Sequence, residues 1–397
     1  MNISKKFQSI SPSSTLAITA KVNEMKANGI DVAGFGAGEP DFNTPEHIRE
    51  AAIKAINEGF TRYTPASGTK ELKEAVVEKF KRENNLSYGI ENIVISNGAK
   101  HSLMNVMGAI LNPGDEVIIP TPCWVSYPEM VKLNDGVPVL LKATEEENFL
   151  VTAEKIASVI TDKTRAVIIN TPSNPTGMVY PEAELRKIAD LCVEKNIYII
   201  SDEIYEHLIY DGGKHVSVAT FGEKVKDLTI IVNGVSKTFA MTGWRIGYTA
   251  SNAALAKAMS SVQSHATSNP NSIAQKAAVA ALNGSMDTVF EMKAEFEKRR
   301  TYMVNRINGL SGVSCLMPQG AFYVMMNIKD LIGKSINGKT ITDSNSFATI
   351  LLEEALVSLI PCKDFDSDEH VRWSYATSME NITKGLDRLE EFLKKLQ

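Results

Sequence analysis

Between Asn92 and Ala250, short runs of β-branched and other apolar residues alternate with segments of helical periodicity, which predicts a layered α/β structure. The runs "NIVIS" (92–96), "DEVIIP" (115–120), "VPVLLKA" (137–143), "RAVIIN" (165–170), "IYIIS" (197–201), "LTIIVN" (228–233) and "IGYTA" (246–250) read as strands. Most are apolar almost throughout, as expected of strands covered by helices on both faces. Helices are predicted from about Gly98 to Leu111 and over 181–196, the second opening with a proline. Residues 1 to about 45 carry few periodic elements and read as an arm. Beyond about Ser285 comes a long charged helix containing "EMKAEFEKRRTYMVNRIN" (291–308), then mixed α and β, then a final helix over 380–396. The expected division is an N-terminal arm over 1–45, a large domain with a mostly parallel central sheet over 46–285, and a small domain over 286–397. The small domain is expected to be α+β and to be completed by the arm, so that both chain ends build it.

Composition narrows the function. At 397 residues the chain exceeds one ordinary core, in keeping with two domains. A net charge of −5, without any basic run, argues against nucleic acid as a partner. The four cysteines lie far apart with no C-x-x-C pair, which fits reduced thiols in a cytoplasm better than disulfides or zinc. The six histidines are equally dispersed, so no metal site is expected. "MNISKKFQSISPSS" lacks the apolar core of a signal peptide, and no apolar run approaches the ~20 residues of a membrane helix. The expectation is a cytoplasmic protein with no membrane partner.

The stretch "VNGVSKTFAMTGWRIGY" (232–248) raises the question of chemistry. It carries two cations, Lys237 and Arg245, yet no Asp or Glu occurs from Leu228 to Met286. A lysine desolvated among small and apolar residues has a lowered pKa and becomes a nucleophile suited to Schiff-base formation, although most lysines simply reach water. Its place just beyond a predicted strand is where active sites of open α/β sheets lie. Arg245 calls for an anion, either a remote carboxylate or a bound phosphate. In "ISNGAKHSL" (95–103) a strand turns at Asn97-Gly98-Ala99 straight into a helix, whose free amides favour an anion. "YIISDEIY" (198–205) places Asp202 at a strand end, to cap a helix or to hold a protonated ring nitrogen, with Tyr205 three residues on. Asn174 in "NTPSNPTG" (170–177) and Trp124 in "PCWVSYP" (122–128) sit at the same rim of the sheet. Arg372 in "HVRWSYAT" (370–377), among apolar neighbours, is suited to receive a carboxylate. "GFGAGEPDF" (34–42) is not a dinucleotide loop, because Glu39 stands where the third glycine belongs.

Together these stretches resemble the fold-type I pyridoxal-5′-phosphate (PLP) enzymes, in particular class I aminotransferases of the bacterial aspartate aminotransferase subgroup. "GAGEPDF", "PCWVSYPEM", "NTPSNPTG", "SDEIYEHL", "SKTFAMTGWRIGY" and "VRWSYATS" occur in the family's order, and the likeness runs from about Ser11 to Ser378. The resemblance implies PLP as cofactor, Lys237 as its Schiff-base lysine and proton carrier, Asp202 as partner of the ring nitrogen, and Tyr205 as donor to the ring oxygen. It implies a phosphate cup of Arg245, Ser236, Gly98, Ala99 and neighbouring Lys100. Trp124 would stack on the ring and Asn174 would touch both ring oxygen and substrate, while Arg372 and the Gly38 backbone would hold the α-carboxylate. Tyr63 would reach the cofactor of a neighbouring subunit, which implies a homodimer.

The resemblance also implies amino acid and 2-oxo acid substrates and ping-pong kinetics. "SVQSHATSNPNSIAQ" (261–275) holds no arginine for a distal carboxylate. Lys100 and Thr15 match the subgroup's alternative, which points to aspartate and glutamate. Ser11 stands where some relatives carry a basic residue, so prephenate is not expected. An aminotransferase for aromatic or neutral amino acids, a PLP β-lyase and a PLP-dependent regulator remain as rivals.

Overall fold

The computed structural model describes residues 3–8, 10–11 and 14–397; the side chains of residues 5, 14–17 and 19 fall outside the description. All seven predicted strands form and join one sheet: β1 (Ile93–Ser96), β2 (Glu116–Thr121), β3 (Val137–Lys142), β4 (Thr164–Asn170), β5 (Tyr198–Asp202), β6 (Thr229–Gly234) and β7 (Gly247–Ala250). Their order is β1-β7-β6-β5-β4-β2-β3. β3, β2, β4, β5 and β6 are mutually parallel, whereas β7 runs antiparallel to both β6 and β1. Parallel neighbours require long crossovers, and an antiparallel neighbour can return directly. The segment 235–246 is such a direct return, and it carries Ser236, Lys237 and Arg245 to one end of the sheet.

Alternate residues of each strand feed opposite cores. Val117 and Ile119 pack with Leu103, Val106 and Met107 of the helix Ala99–Ile110 and with Met259 of the helix Ala253–Ala266. Ile118 faces the other way, with Val167 and Ile199, against Leu185, Ile188 and Cys192 of the helix Glu182–Lys195. Ile93, Ile95 and Ile231 pack under the helices Glu46–Asn57, Lys70–Asn84 and Ser272–Asn283. Each such Ile or Val contributes roughly 1.5–3 kcal/mol of burial. The sheet is thus fixed from both sides, and only its strand ends are open for function.

The C-terminal unit is a second sheet of β8 (Ser314–Cys315), β9 (Tyr323–Asn327), β10 (Ile360–Pro361) and β11 (His370–Ser374), antiparallel in the order β10-β11-β9-β8. The helices Asp287–Asn308, Ser344–Ala355 and Met379–Leu393 cover it. Ala33–Gly34 pairs in parallel with Val357–Ser358, and Phe35 packs on Trp373 with ring centroids 4.6 Å apart. The arm therefore belongs to this core. It is also more regular than its sequence suggests, for Ser14–Ala27 is a helix of 14 residues. Its apolar residues do not form one stripe, and it is held instead by tertiary contact, with Val22 buried against Val32 and Leu352. Among the described residues no helix is long and apolar enough to cross a membrane.

Candidate active site

The carboxyl ends of β4, β5 and β6 are adjacent in register, Asn170 beside Asp202 and Asp202 beside Val232. A cleft of about 420 Å³ opens above them, against Tyr323 of β9 and Arg372 of β11. It lies where ligands bind in open α/β sheets. Six charged residues line it: Glu39, Lys100, Asp202, Lys237, Arg245 and Arg372. Among the described residues none of the six forms an ion pair with another side chain.

Lys237 follows β6 by three residues, and its Nζ donates to the Gly38 carbonyl at 2.5 Å. Desolvation lowers its pKa to about 8; Arg245 and Arg372 push the same way, against the opposing charges of Glu39 and Asp202. Arg245 has a left-handed backbone, φ 57°, and among the described residues its guanidinium donates only to the carbonyls of Thr242 at 2.8 Å and Asn97 at 3.4 Å. A Cβ at Gly98, φ 85°, would collide with that guanidinium, and a Cβ at Gly247 would strike the Gly98–Ala99 backbone. The two glycines let the β1 turn, the helix start and Arg245 close on one another. The Gly98 amide is engaged with the Ser96 carbonyl at 2.8 Å. Those of Ala99 and Lys100, at a helix start with no side-chain cap, have no acceptor among the described residues. Ser236, buried, lines the same corner.

Asp202 is buried at the floor. Its Oδ2 accepts from the Tyr127 hydroxyl at 2.6 Å and its Oδ1 from the Ile204 amide at 3.2 Å. Burial raises its pKa to about 6, although both donors act to lower it. Tyr205, also buried, shares a 3.0 Å hydrogen bond with the Tyr323 hydroxyl. The Asn170 side chain ties the floor together, donating to the Asp202 carbonyl at 3.0 Å and accepting from the Asn174 amide at 2.9 Å.

Arg372, 3% exposed, donates through Nη1 to Asn174 Oδ1 at 2.9 Å and through Nη2 to the Gly36 carbonyl at 3.1 Å. Its guanidinium lies 4.3 Å from the Tyr323 ring centroid, and its buried Nε has no partner among the described residues. An unsatisfied buried cation of this kind costs stability unless a ligand completes it. On the opposite wall the Lys100 amine sits 4.8 Å over the Trp124 ring. Its pKa is lowered by burial and by Arg245.

Of the residues singled out in the sequence, Gly38, Ala99, Lys100, Trp124, Asn174, Asp202, Tyr205, Ser236, Lys237, Arg245 and Arg372 line this one cleft, with Gly98 directly beneath. Tyr63 does not line it and is 91% exposed on the surface. Thr15 falls on the helix Ser14–Ala27, and its side chain lies outside the described residues. Tyr127, Asn170, Tyr323, Thr242 and Glu39 also reach the site and were not singled out. Tyr127 lay in plain view inside "PCWVSYP", but nothing local showed that its hydroxyl meets a carboxylate 75 residues away.

The arrangement can be tested against PLP. A dianionic phosphate needs free donors, and Arg245, Ser236 and the two free helix amides supply them in one corner. A protonated pyridine nitrogen needs a buried anion not already paired with a cation, and Asp202 is one. An aldehyde needs a neutral amine, and the lowered pKa of Lys237 brings that form closer to reach. The donor set fits the cofactor.

Fold and cleft thus define a PLP-dependent enzyme of fold type I. The sequence model for aminotransferase class I and II matches residues 30–389, and the chain belongs to that family as a class I aminotransferase of the bacterial aspartate aminotransferase type. It is 50% identical over 392 residues to an aspartate aminotransferase of Bacillus sp. (strain YM-2), covering 99% of each chain. It is 48% identical over 395 residues to that of Bacillus subtilis (strain 168), covering 100% of each. The crystal structure of the aspartate aminotransferase from Rhizobium meliloti superposes with a TM-score of 0.96, at 43% identity and full coverage of both chains.

Proposed function

We propose that this aminotransferase moves the amino group of L-aspartate to 2-oxoglutarate, giving oxaloacetate and L-glutamate, with Lys237 as the Schiff-base lysine. The observation that carries the reading is the charge of the cleft. Lys100, Lys237, Arg245 and Arg372 face only Glu39 and Asp202, all six without ion-pair partners among the described residues. A cofactor phosphate and a dicarboxylic substrate are the anions that balance such a surface.

When bound, PLP supplies an aldehyde for condensation with amines and a ring that accepts electron density from the substrate's α-carbon. The protein's part is orientation and proton handling. Asp202 holds the ring nitrogen protonated, and Tyr205 donates to the ring oxygen. Arg245, Ser236 and the helix amides at 99–100 grip the phosphate. Arg372 takes the α-carboxylate, with its free Nε–H and the Asn174 amide completing the site, and Lys100 reaches for the distal carboxylate. Lys237 would hold the cofactor's aldehyde, and as a free amine it would withdraw and hand back the proton of the substrate's α-carbon. Release of the first product before the second substrate enters makes the kinetics ping-pong.

The exposed Tyr63 supports a homodimer in which it reaches the partner's phosphate. Four buried free thiols support a reducing, cytoplasmic setting. We keep the division into an arm over 1–45, a large domain over 46–285 and a small domain over 286–397.

Comparing kcat/KM for aspartate, phenylalanine and alanine tests the substrate, aspartate being expected to lead. A preference for either of the others overturns the assignment, and release of pyruvate and ammonia from cysteine would make the protein a β-lyase. Borohydride reduction of the yellow protein should fix the label on the peptide bearing Lys237.

A further inference from the structure

Asp202 is a buried carboxylate with no cationic partner among the described residues, and its one side-chain hydrogen bond comes from Tyr127. Tyr127 is the second residue of the helix Ser126–Leu133 and is 2% exposed. Its ring stands edge-on to Trp124, centroids 5.4 Å apart and planes at 90°. One side chain therefore touches both the aromatic wall of the cleft and the acid at its floor.

The chemistry of the donor matters. An arginine or lysine at this place would stabilise the carboxylate but would also cancel its charge. A phenol donates a hydrogen bond without bringing a charge, so the anion is favoured and remains available to a cationic ligand. The phenol itself stays protonated, because burial and then the Asp202 charge push its pKa well above the ordinary value.

We propose that Tyr127 is a positioning residue for the transamination site, holding Asp202 ionised and aimed at the ring nitrogen of PLP while buttressing Trp124. The inference rests on the PLP reading above. The other groups facing Asp202 are Glu203 beside it in sequence, which disfavours its charge, Lys237 across the cleft, which favours it, and the neighbouring phenol of Tyr205. Cys123 faces Tyr127 as a buried thiol. None of these donates a hydrogen bond to Asp202 among the described residues, so none replaces the phenol. Without it the acid takes up its own proton more readily, and a neutral carboxylic acid no longer holds a pyridinium.

The test is Tyr127→Phe, which keeps the ring against Trp124 and removes only the hydroxyl. PLP affinity is measured by absorbance titration of resolved enzyme, and the bound cofactor's absorption is followed against pH in the holoenzyme. Tyr180→Phe is the control: its hydroxyl is also buried but serves the Val151 amide, outside the cleft. Loss of a hydrogen bond to a charged group is expected to weaken PLP binding by about 10- to 100-fold. The acidic limb of the kcat/KM profile and the absorption titration should both move to higher pH. Tyr180→Phe should leave all three readouts unchanged. Equal PLP affinity and superimposable pH curves in Tyr127→Phe and wild type overturn the role of Tyr127 and leave the PLP reading standing, as does an equal shift in Tyr180→Phe. A wild-type protein that binds no PLP overturns both.

Discussion

Two lysines of this chain are drawn inside the same domain and meet opposite environments. Lys237 stands in the cleft with a carbonyl as its only hydrogen-bond acceptor among the described residues. Lys79, 1% exposed, lies on the far side of the segment 202–207 and bonds Glu206, with Glu83 at 3.6 Å and Asn84 Oδ1 at 2.8 Å. Asn84 and Asn233 complete the Glu206 carboxylate at 3.1 and 2.6 Å, and His207 bonds Glu83 at 3.1 Å. Two of the three acids of that segment, Asp202 and Glu206, differ in the same way. Burial raises Asp202 to about 6, whereas Glu206, although burial opposes its charge, is held well below the usual carboxylate range, chiefly by Lys79. Buried charge that serves the fold is paired within the chain. Buried charge that serves a ligand is left for the ligand to pair, and folding bears the cost.

The largest effects should separate the two lysines. Lys237→Ala removes the proposed proton carrier, and kcat is expected to fall on the order of 10⁴-fold, with the melting temperature preserved. Lys79→Met leaves Glu206 buried and uncompensated, which should cost about 3–5 kcal/mol of stability while the activity per folded molecule is kept. Adding Glu206→Gln to Lys79→Met should recover part of that loss. Urea titrations and single-turnover assays read the two properties separately. A Lys79 variant that folds normally but is inactive would end the division of roles.

Arg372 offers an intermediate effect. Its two hydrogen bonds to Asn174 and Gly36 hold it in place, and its buried Nε has no partner among the described residues. Arg372→Lys keeps the charge but loses the planar fork. We expect kcat/KM for aspartate to drop by about 10²-fold, with PLP affinity unchanged. Equal losses in substrate and PLP binding would mean that Arg372 supports the fold of the cleft instead of recognising a carboxylate.

The contrast also explains how much could be read in the sequence. The seven strands were legible because doubly covered strands are apolar along their whole length. Lys237 and Arg245 stood out because the sequence around them lacks any acid, and among the described residues neither forms an ion pair with a carboxylate from elsewhere. The reversed direction of β7 was not legible, since "IGYTA" reads the same either way, yet this reversal puts both cations on one return loop. Lys79 was invisible: on the helix Lys70–Asn84 it sits among other charged residues, and only the packing against Glu206, 127 residues away, buries it. Tyr127 and Tyr323 escaped for the same reason, as buried aromatics look alike until their hydroxyls are placed. Patterns along the chain reported burial, and only contacts across it reported pairing.

The smallest effect is the pH dependence of stability, where the unpaired lysine should reveal itself in cofactor-free protein. Between pH 10.5 and about 8 the unfolded chain already carries a proton on Lys237 while the native amine does not, so stability falls as pH falls through that range. Below about pH 8 the penalty is complete. Lys237→Met should therefore melt above wild type at pH 7, by on the order of 2 °C, since water in the half-open cleft screens part of the cost. The difference should shrink through pH 9 and vanish near pH 10.5. Glu206 has the opposite sign: its contribution is complete above about pH 4.5 and is lost as the solution becomes more acid. Lys79→Met should accordingly lose less relative to wild type at pH 3 than at pH 7. Melting curves of the two variants and wild type across this range would show one difference closing towards alkali and the other towards acid. If both closed at the same end, the two lysines would not differ in the way their surroundings imply.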